Sequence, residues 1–339
     1  MSGTVEGRAR ANVARRSLAA AAATIAGAVA LTATAGAAAQ AWPQRPVRMI
    51  VPQGAGSSNH TISRVLAMRM ADLLGQQIVV DNRPGAGGII GMEIAARAVP
   101  DGYTLLGTAT ATQVIAPLLQ KKLTFDPFAD LVPVSLFAIT QNVMVVHPSL
   151  AAKTPRDLIG LLKAAPGRLN MASAGAGSQS HLAGVQFLLA SGTDAVHVPY
   201  KGGGASVTAT VANEAQFTVT PLAATLPFIR SGQLRALATA GTKRSTQLPE
   251  LPTLAESTLP GFQSTGWVGL MVPRGTPRPI TDRLHATVVA AMKQPETQEL
   301  MVRAGADPAS STPAEFASLI RDEWNRFKAA IAAAKLSIE

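Results

Sequence analysis

The chain has 339 residues, no cysteine, 47% apolar and 15% charged side chains, and a net charge of +10. The length suits two domains better than one, and the apolar content excludes a disordered chain. The missing cysteines exclude thiol catalysis, disulfides and thiolate-held metals, and 4% aromatics leave little for a base-stacking surface.

Residues 1–41 carry +3 of the charge; the remaining +7 is scattered, with no basic stripe suited to DNA or RNA. Arg8, Arg10, Arg15 and Arg16 precede a long run of small and apolar residues over 18–39, and Ala39-Gln40-Ala41 offers a small-x-small cleavage site before Trp42. This is the pattern of an export signal over 1–41, with Ala37-Ala38-Ala39 as the alternative cleavage site. Arg15-Arg16-Ser17-Leu18 resembles a twin-arginine signal only loosely. The competing reading is a membrane anchor, since about 20 apolar residues span a bilayer. Small residues dominate the run and no basic stop follows, which favours the signal.

A buried strand is predicted over 47–51, followed by the turn Gly54-Ala55-Gly56-Ser57-Ser58-Asn59-His60 and a helix over 61–74 closed by Gly75. A strand over 78–81, the turn Arg83-Pro84-Gly85-Ala86-Gly87-Gly88, a helix over 89–98 and a strand over 103–107 come next. This alternation calls for a parallel sheet covered on both faces. Two further strands are predicted over 132–139 and 142–147, and a helix over 154–165 whose start reads Thr154-Pro155-Arg156-Asp157. An apolar run over 169–172 leads into Gly175-Ala176-Gly177-Ser178-Gln179-Ser180-His181 and a helix over 182–191. The pattern then gives strands over 195–200, 217–219, 234–240 and 266–272, short helices over 205–211 and 223–231, and a surface loop over 243–260. The end is helical, with a capping box at Thr312-Pro313-Ala314-Glu315.

The Gly-Ala-Gly-Ser turn thus occurs twice, 121 residues apart, each time between an apolar run and a helix. Such a turn leaves N–H groups unpaired at the positive end of a helix, which suits an anion. Ser57, Ser58, Ser178 and Gln179 can add side-chain donors; plain N-capping by Ser or Asn is the competing reading. His60 could face an acidic ligand group or stand in solvent, and His181 divides between ligand contact and loop support. Thr108, Thr110 and Thr112 follow a strand's C-terminal end, where open α/β sheets bind ligands. Tyr200 is either a cleft wall or a packed tyrosine. The turn over 83–88 is spaced wrongly for a dinucleotide fingerprint, because Ile90 falls where a third glycine belongs. The five histidines lack close ligand spacing with acids, so neither metal nor cofactor is expected.

A series of motifs resembles the periplasmic solute-binding receptors of the tripartite tricarboxylate transporter family, the Bug proteins. It runs Trp42-Pro43, Val51-Pro52, Asp81-Asn82-Arg83-Pro84-Gly85-Ala86-Gly87-Gly88 and Pro100-Asp101-Gly102-Tyr103-Thr104, then Val145-Val146-His147-Pro148-Ser149. Ser180-His181-Leu182-Ala183-Gly184, His197-Val198-Pro199-Tyr200-Lys201-Gly202, Leu234-Arg235-Ala236-Leu237-Ala238, Leu251-Pro252-Thr253 and Leu259-Pro260-Gly261 complete it. The resemblance implies a type II periplasmic-binding fold, in which two α/β lobes joined by two crossing strands enclose the ligand. One lobe would comprise 42–140 with 263–339, the other 141–262. It implies a small organic carboxylate held by the two turns and passed to membrane subunits of a transporter, by a monomer that is not an enzyme. The residues expected at the ligand are Gly54, Ala55, Gly56, Ser57, Ser58, Asn59, His60, Thr108, Thr110, Ser173, Gly175, Gly177, Ser178, Gln179, His181 and Tyr200.

Three positions depart from the family pattern. His60, Gln216 and Thr220 stand where acidic residues are usual. Two alternatives remain at this level: a sensor subunit that signals without transport, and a hydrolase using Ser57 or Ser178 with a nearby histidine and Asp194. Neither serine lies in a G-x-S-x-G elbow.

Overall fold

The computed structural model describes residues 42–333, 335 and 336, so the export signal over 1–41 lies outside the described residues. The elements that follow run on from Arg45, within one densely connected unit.

Strand β1 (Val47–Val51) is apolar and almost wholly buried, as a central parallel strand must be. Helix α1 (Ser58–Leu74) returns the chain to β2 (Ile78–Asn82), and a tight turn leads into α2 (Ile89–Ala96) and β3 (Thr104–Ala109). β1 lies between β2 and β3, parallel to both, with Val47 opposite Ile78 and Arg48 opposite Thr104. The turn over 83–88 packs against the chain just past β1: a Cβ at Gly88 would stand 3.0 Å from Pro52 O.

Residues 110–119 are helical, a π-turn over Ala111–Ile115 followed by α3 (Ala116–Leu119). The sequence pattern predicted only the end of a strand here. The Thr112 hydroxyl accepts from Ala109 N at 3.1 Å and donates to Ala109 O at 3.0 Å, which turns the chain at once.

The two strands predicted over 132–147 form a single strand, β4 (Leu131–Val146). Its polar midpoint does not break it, because both side chains there are bonded. Gln141 Nε2 donates to Asp307 Oδ2 at 2.8 Å, and Asn142 Nδ2 donates to Ser264 O at 2.9 Å. The chain continues through α4 (Pro155–Ala164), β5 (Asn170–Ser173), α5 (Gln179–Ser191), β6 (Val196–Pro199) and α6 (Gly203–Val211). Then come β7 (Phe217–Pro221), α7 (Leu222–Arg230), β8 (Arg235–Thr239) and α8 (Leu254–Ser257). α8 lies in the stretch predicted to be loop. It starts with a reciprocal cap between Thr253 and Glu256. The last elements are β9 (Thr265–Pro273), α9 (Arg278–Lys293), α10 (Pro295–Arg303), β10 (Asp307–Pro308) and α11 (Pro313–Ala333).

β4 changes partners halfway along. From Leu131 to Gln141 it runs antiparallel to β9, which also pairs with β3. From Asn142 it pairs instead with β7, and from Val143 also with β8. β5 lies between β7 and β6, parallel to both. Thus β1 and β5 hold equivalent places, each the middle of three parallel strands, and each feeds one of the two repeated turns.

Separate apolar clusters serve the two ends of this sheet. One gathers Ile50, Leu106, Trp267, Met271, Phe316 and Phe327; another gathers Met144, Leu158, Met171, Phe187, Phe217 and Leu237. β9 is buried along its whole length between β3 and β4, with Trp267 edge-on to Phe316 of α11 at 4.8 Å.

Candidate functional site

The repeated turns have the same backbone where they enter the helix. Ser57 sits at φ −66°, ψ 157° and Ser178 at φ −67°, ψ 160°; each hydroxyl accepts the N–H three residues on, from His60 and His181, at 3.2 Å. Gly56 (φ 82°) and Gly177 (φ 71°) occupy the left-handed region one residue before the cap, where only glycine is unstrained. Ser57 N reaches back to Gly54 O at 3.2 Å, and Ser178 N to Gly175 O at 3.1 Å. In each helix the cap leaves the first N–H groups to outside partners.

Electrostatics point the same way. Neither α1 nor α5 carries an acid in its first turn, whereas α4 and α11 carry Asp157 and Glu315 there. The positive ends of the two helices behind the repeated turns are therefore not balanced by their own side chains.

The described cavities place the site residues as follows. Gly177 and Ser178 line a cavity of about 490 Å³ with Gln53, Gly87, Ala111 and Leu119. Gly56 and Ser58 line another of about 980 Å³ with Ala223, Arg230, Arg303 and Gly305. The two turns thus border two cavities rather than sharing one, and Gln53, next to the first turn, joins the second turn's cavity. Two contacts flank them: a Cβ at Gly177 would meet Leu119 Cδ1 at 2.6 Å, and one at Gly305 would meet Ala223 Cβ at 2.0 Å.

Several of the predicted residues are engaged within the protein. Asn59 is buried, its Nδ2 donating to Gly107 O at 3.1 Å and its Oδ1 accepting from Ser63 Oγ at 3.1 Å, so it clamps α1 to β3. Thr108 and Thr112 share a hydrogen bond at 2.8 Å, and Thr110 Oγ1 accepts from Trp267 N at 3.0 Å. Tyr200 Oη lies 3.4 Å from Glu214 Oε2 and borders neither cavity. Gly54, Ala55, Gly175 and Ser57 shape the turns without bordering either cavity.

His181 braces the second turn. Its Nδ1 accepts from Gly177 N at 3.1 Å, and its ring stacks on His197 with centroids 3.6 Å apart. Burial, with His197 beside it, pushes His181 down to about 4. Burial also lowers His197, whose Nε2 lies 2.6 Å from Ser173 Oγ. Among the described residues neither histidine has a carboxylate partner, and no cluster of three His, Cys, Asp or Glu could hold a metal.

Two orphaned atoms belong to the turns. His60 Nδ1 and Gln179 Nε2 are buried with no hydrogen-bond partner among the described residues, and so is Thr220 Oγ1 at the end of β7. A Cβ at Gly266 would stand 2.3 Å from Gln179 Nε2, which places that amide against the crossing strand β9. Sequence reasoning missed Leu119, Ala223, Arg230, Arg303 and Gly305, which no local pattern marks. It also missed Glu323, which is fully buried and accepts from Trp267 Nε1 at 2.7 Å.

Known proteins share this plan. The model of the tripartite tricarboxylate transporter family receptor matches residues 62–336. BugT of Bordetella pertussis is 37% identical over 300 residues, 87% of this chain and 92% of its own. The adipate-bound Rpa4515 of R. palustris superposes with a TM-score of 0.76 at 29% identity, covering 88% of this chain and 99% of that one. The malate-bound MatC of Rhodopseudomonas palustris gives 0.71 at 30% identity, with 86% and 100% covered. These are two-lobed receptors, and this chain has their fold, with β4 pairing in both parts of the sheet. With matches that run nearly the full length of both partners, the chain belongs to the receptor family of the tripartite tricarboxylate transporters.

Proposed function

We propose that this receptor captures a small organic carboxylate between its two lobes and delivers it to the membrane subunits of its transporter. The lobes are residues 42–140 with 263–339, and residues 141–262. The chain acts as a monomer outside the cytoplasm, exported by the segment 1–41 and working by binding rather than catalysis. Among the described residues no helix is long and apolar enough to cross a membrane.

The observation that carries this reading is the pair of equivalent helix starts, both without first-turn acids, with buried His60 Nδ1 and Gln179 Nε2 unpaired beside them. A carboxylate suits such a site because oriented N–H dipoles hold negative charge without a counter-ion. Adipate and malate in the two R. palustris proteins support the same ligand class. The serines serve as caps, and among the described residues His181 and His197 have no carboxylate partner, which speaks for binding over hydrolysis.

The test is thermal unfolding with a panel of mono-, di- and tricarboxylates and their amides. A matching acid at a hundredfold excess over its Kd should add about 2.7 kcal/mol of stability, and its amide almost nothing. No shift with any acid, or equal shifts with acid and amide, would overturn the proposal.

A further inference from the structure

The cavity of about 980 Å³ beside the first repeated turn has a wall of one charge sign. Gly56 and Ser58 border it at the start of α1, and Arg230 and Arg303 border it from the last turns of α7 and α10. No aspartate or glutamate lines it. Ala223, Pro227 and Arg230 lie on one face of α7, so at 1.5 Å per residue the cavity runs about 10 Å along that helix. The cavity beside the second turn differs. Gln53, Gln120 and Ser178 are its polar residues, and nothing charged lines it.

An arginine in the last turn of a helix ordinarily answers the negative end of its own helix dipole. That accounts for each of these residues separately. It does not account for two helices, far apart in the chain, that end on one cavity with no acid in its wall. Nor are the guanidinium groups taken up elsewhere. Arg230 has no ion pair or side-chain hydrogen bond among the described residues. Arg303 meets Glu299 at 3.7 Å, with both side chains exposed, and such a pair is worth little in water. Both arginines are exposed and line the cavity, so a ligand lying in it can reach them.

We propose, resting on the carboxylate reading above, that Arg230 and Arg303 select the ligand: they hold a second negative group at the far end of an acid whose first carboxylate sits at the start of α1. The Arg230 fork takes the distal carboxylate by two parallel N–H bonds, and Arg303 adds its charge from α10. The chain between the two carboxylates lies along Ala223 and Pro227. The volume is at the upper end of small-molecule sites, roughly 300–1,000 Å³.

Isothermal titration of the exported chain with hexanoate and with glutarate, adipate and pimelate, each diacid against its monoamide, tests this. The monoamide keeps one carboxylate and the chain length, and makes the other end neutral. The best diacid should bind about tenfold or more tightly than its monoamide, because a hydrogen bond to a charged group is worth about one decade in Kd or more. Arg230→Gln should cut that preference by roughly threefold or more, and the double variant with Arg303→Gln should remove it. Both positions are exposed, so the variants should keep the parent's circular dichroism. Equal binding of diacid and monoamide by the parent would overturn the proposal and leave the carboxylate reading standing. So would a preference that survives in the folded double variant, or binding of hexanoate alone. Failure of every one of these acids to bind would remove the carboxylate reading as well.

Discussion

His181 works as an acceptor, and a histidine can accept at Nδ1 only while that nitrogen is unprotonated. Its pKa falls from 6.5 in the unfolded chain to about 4 when folded, so between those values the unfolded chain binds more protons. Stability contributed by His181 is therefore complete above about pH 6.5 and is lost as the pH falls toward 4; His197 acts in the same direction. Glu323 acts oppositely. Its pKa rises from 4.5 to about 7, so its contribution is complete below 4.5 and is lost as the pH rises through 7. The parent protein should accordingly show a flattened Tm profile where the two windows overlap. His181→Asn, which keeps an acceptor but cannot titrate, should turn that flat stretch into a Tm that rises as the pH falls from 6.5 to 4.5. Glu323→Gln should instead make Tm fall as the pH drops across the same stretch, and should remove the decline toward pH 7. Profiles identical to the parent's would show that these groups do not govern the pH response. The two cap serines make a simpler case: Ser57→Ala and Ser178→Ala should each cost about 1 kcal/mol in urea unfolding, the usual worth of an N-cap.

At the scale of elements, what distinguishes α1 and α5 is the lack of any first-turn acid at a capped N-terminus. A carboxylate placed there would satisfy the helix by itself and repel a bound anion. Gln179→Glu should thus leave stability unchanged or raise it by about 0.3–1 kcal/mol, while weakening carboxylate binding by about tenfold or more. Calorimetry with the best acid from the panel checks both. Equal affinity in the variant would mean that the N-terminus of α5 does not face the ligand. β4 shows how an element can mislead a reading by pattern. Gln141 and Asn142 interrupt its apolar run and suggest a break, yet distant Asp307 and Ser264 accept from their side-chain amides. Its partners change at that point while the strand continues.

Across the whole molecule, the contacts of Gly177 with Leu119 and of Gly305 with Ala223 bring the proposed lobes together beside the two cavities. A methyl at Gly305 has no room, and its φ of +79° disfavours any side chain. Gly305→Ala should hold the lobes apart. Small-angle scattering with saturating ligand should give a larger radius of gyration than the liganded parent, and affinity should fall. An unchanged radius and Kd would mean that the seam plays no part in closure.

The residues alone determined the paired strand–turn–helix units and the α/β class. Glycine at the left-handed position, serine at the cap and apolar spacing behind it are local requirements, legible wherever they occur. The family motifs were legible for the same reason, each being a short run with its own turn or strand chemistry. Tertiary structure decided the rest. Asn59 and Thr110 looked available in sequence and proved to be engaged by Gly107 and Trp267. Leu119 and Gly305 carried no local mark, yet they stand against Gly177 and Ala223, residues distant along the chain. Glu323 has no mark in the sequence, and the structure buries it against Trp267 of β9. Each of these outcomes depends on partners far away along the chain. Short-range spacing says nothing about such partners, and only packing brings them within hydrogen-bonding or van der Waals reach.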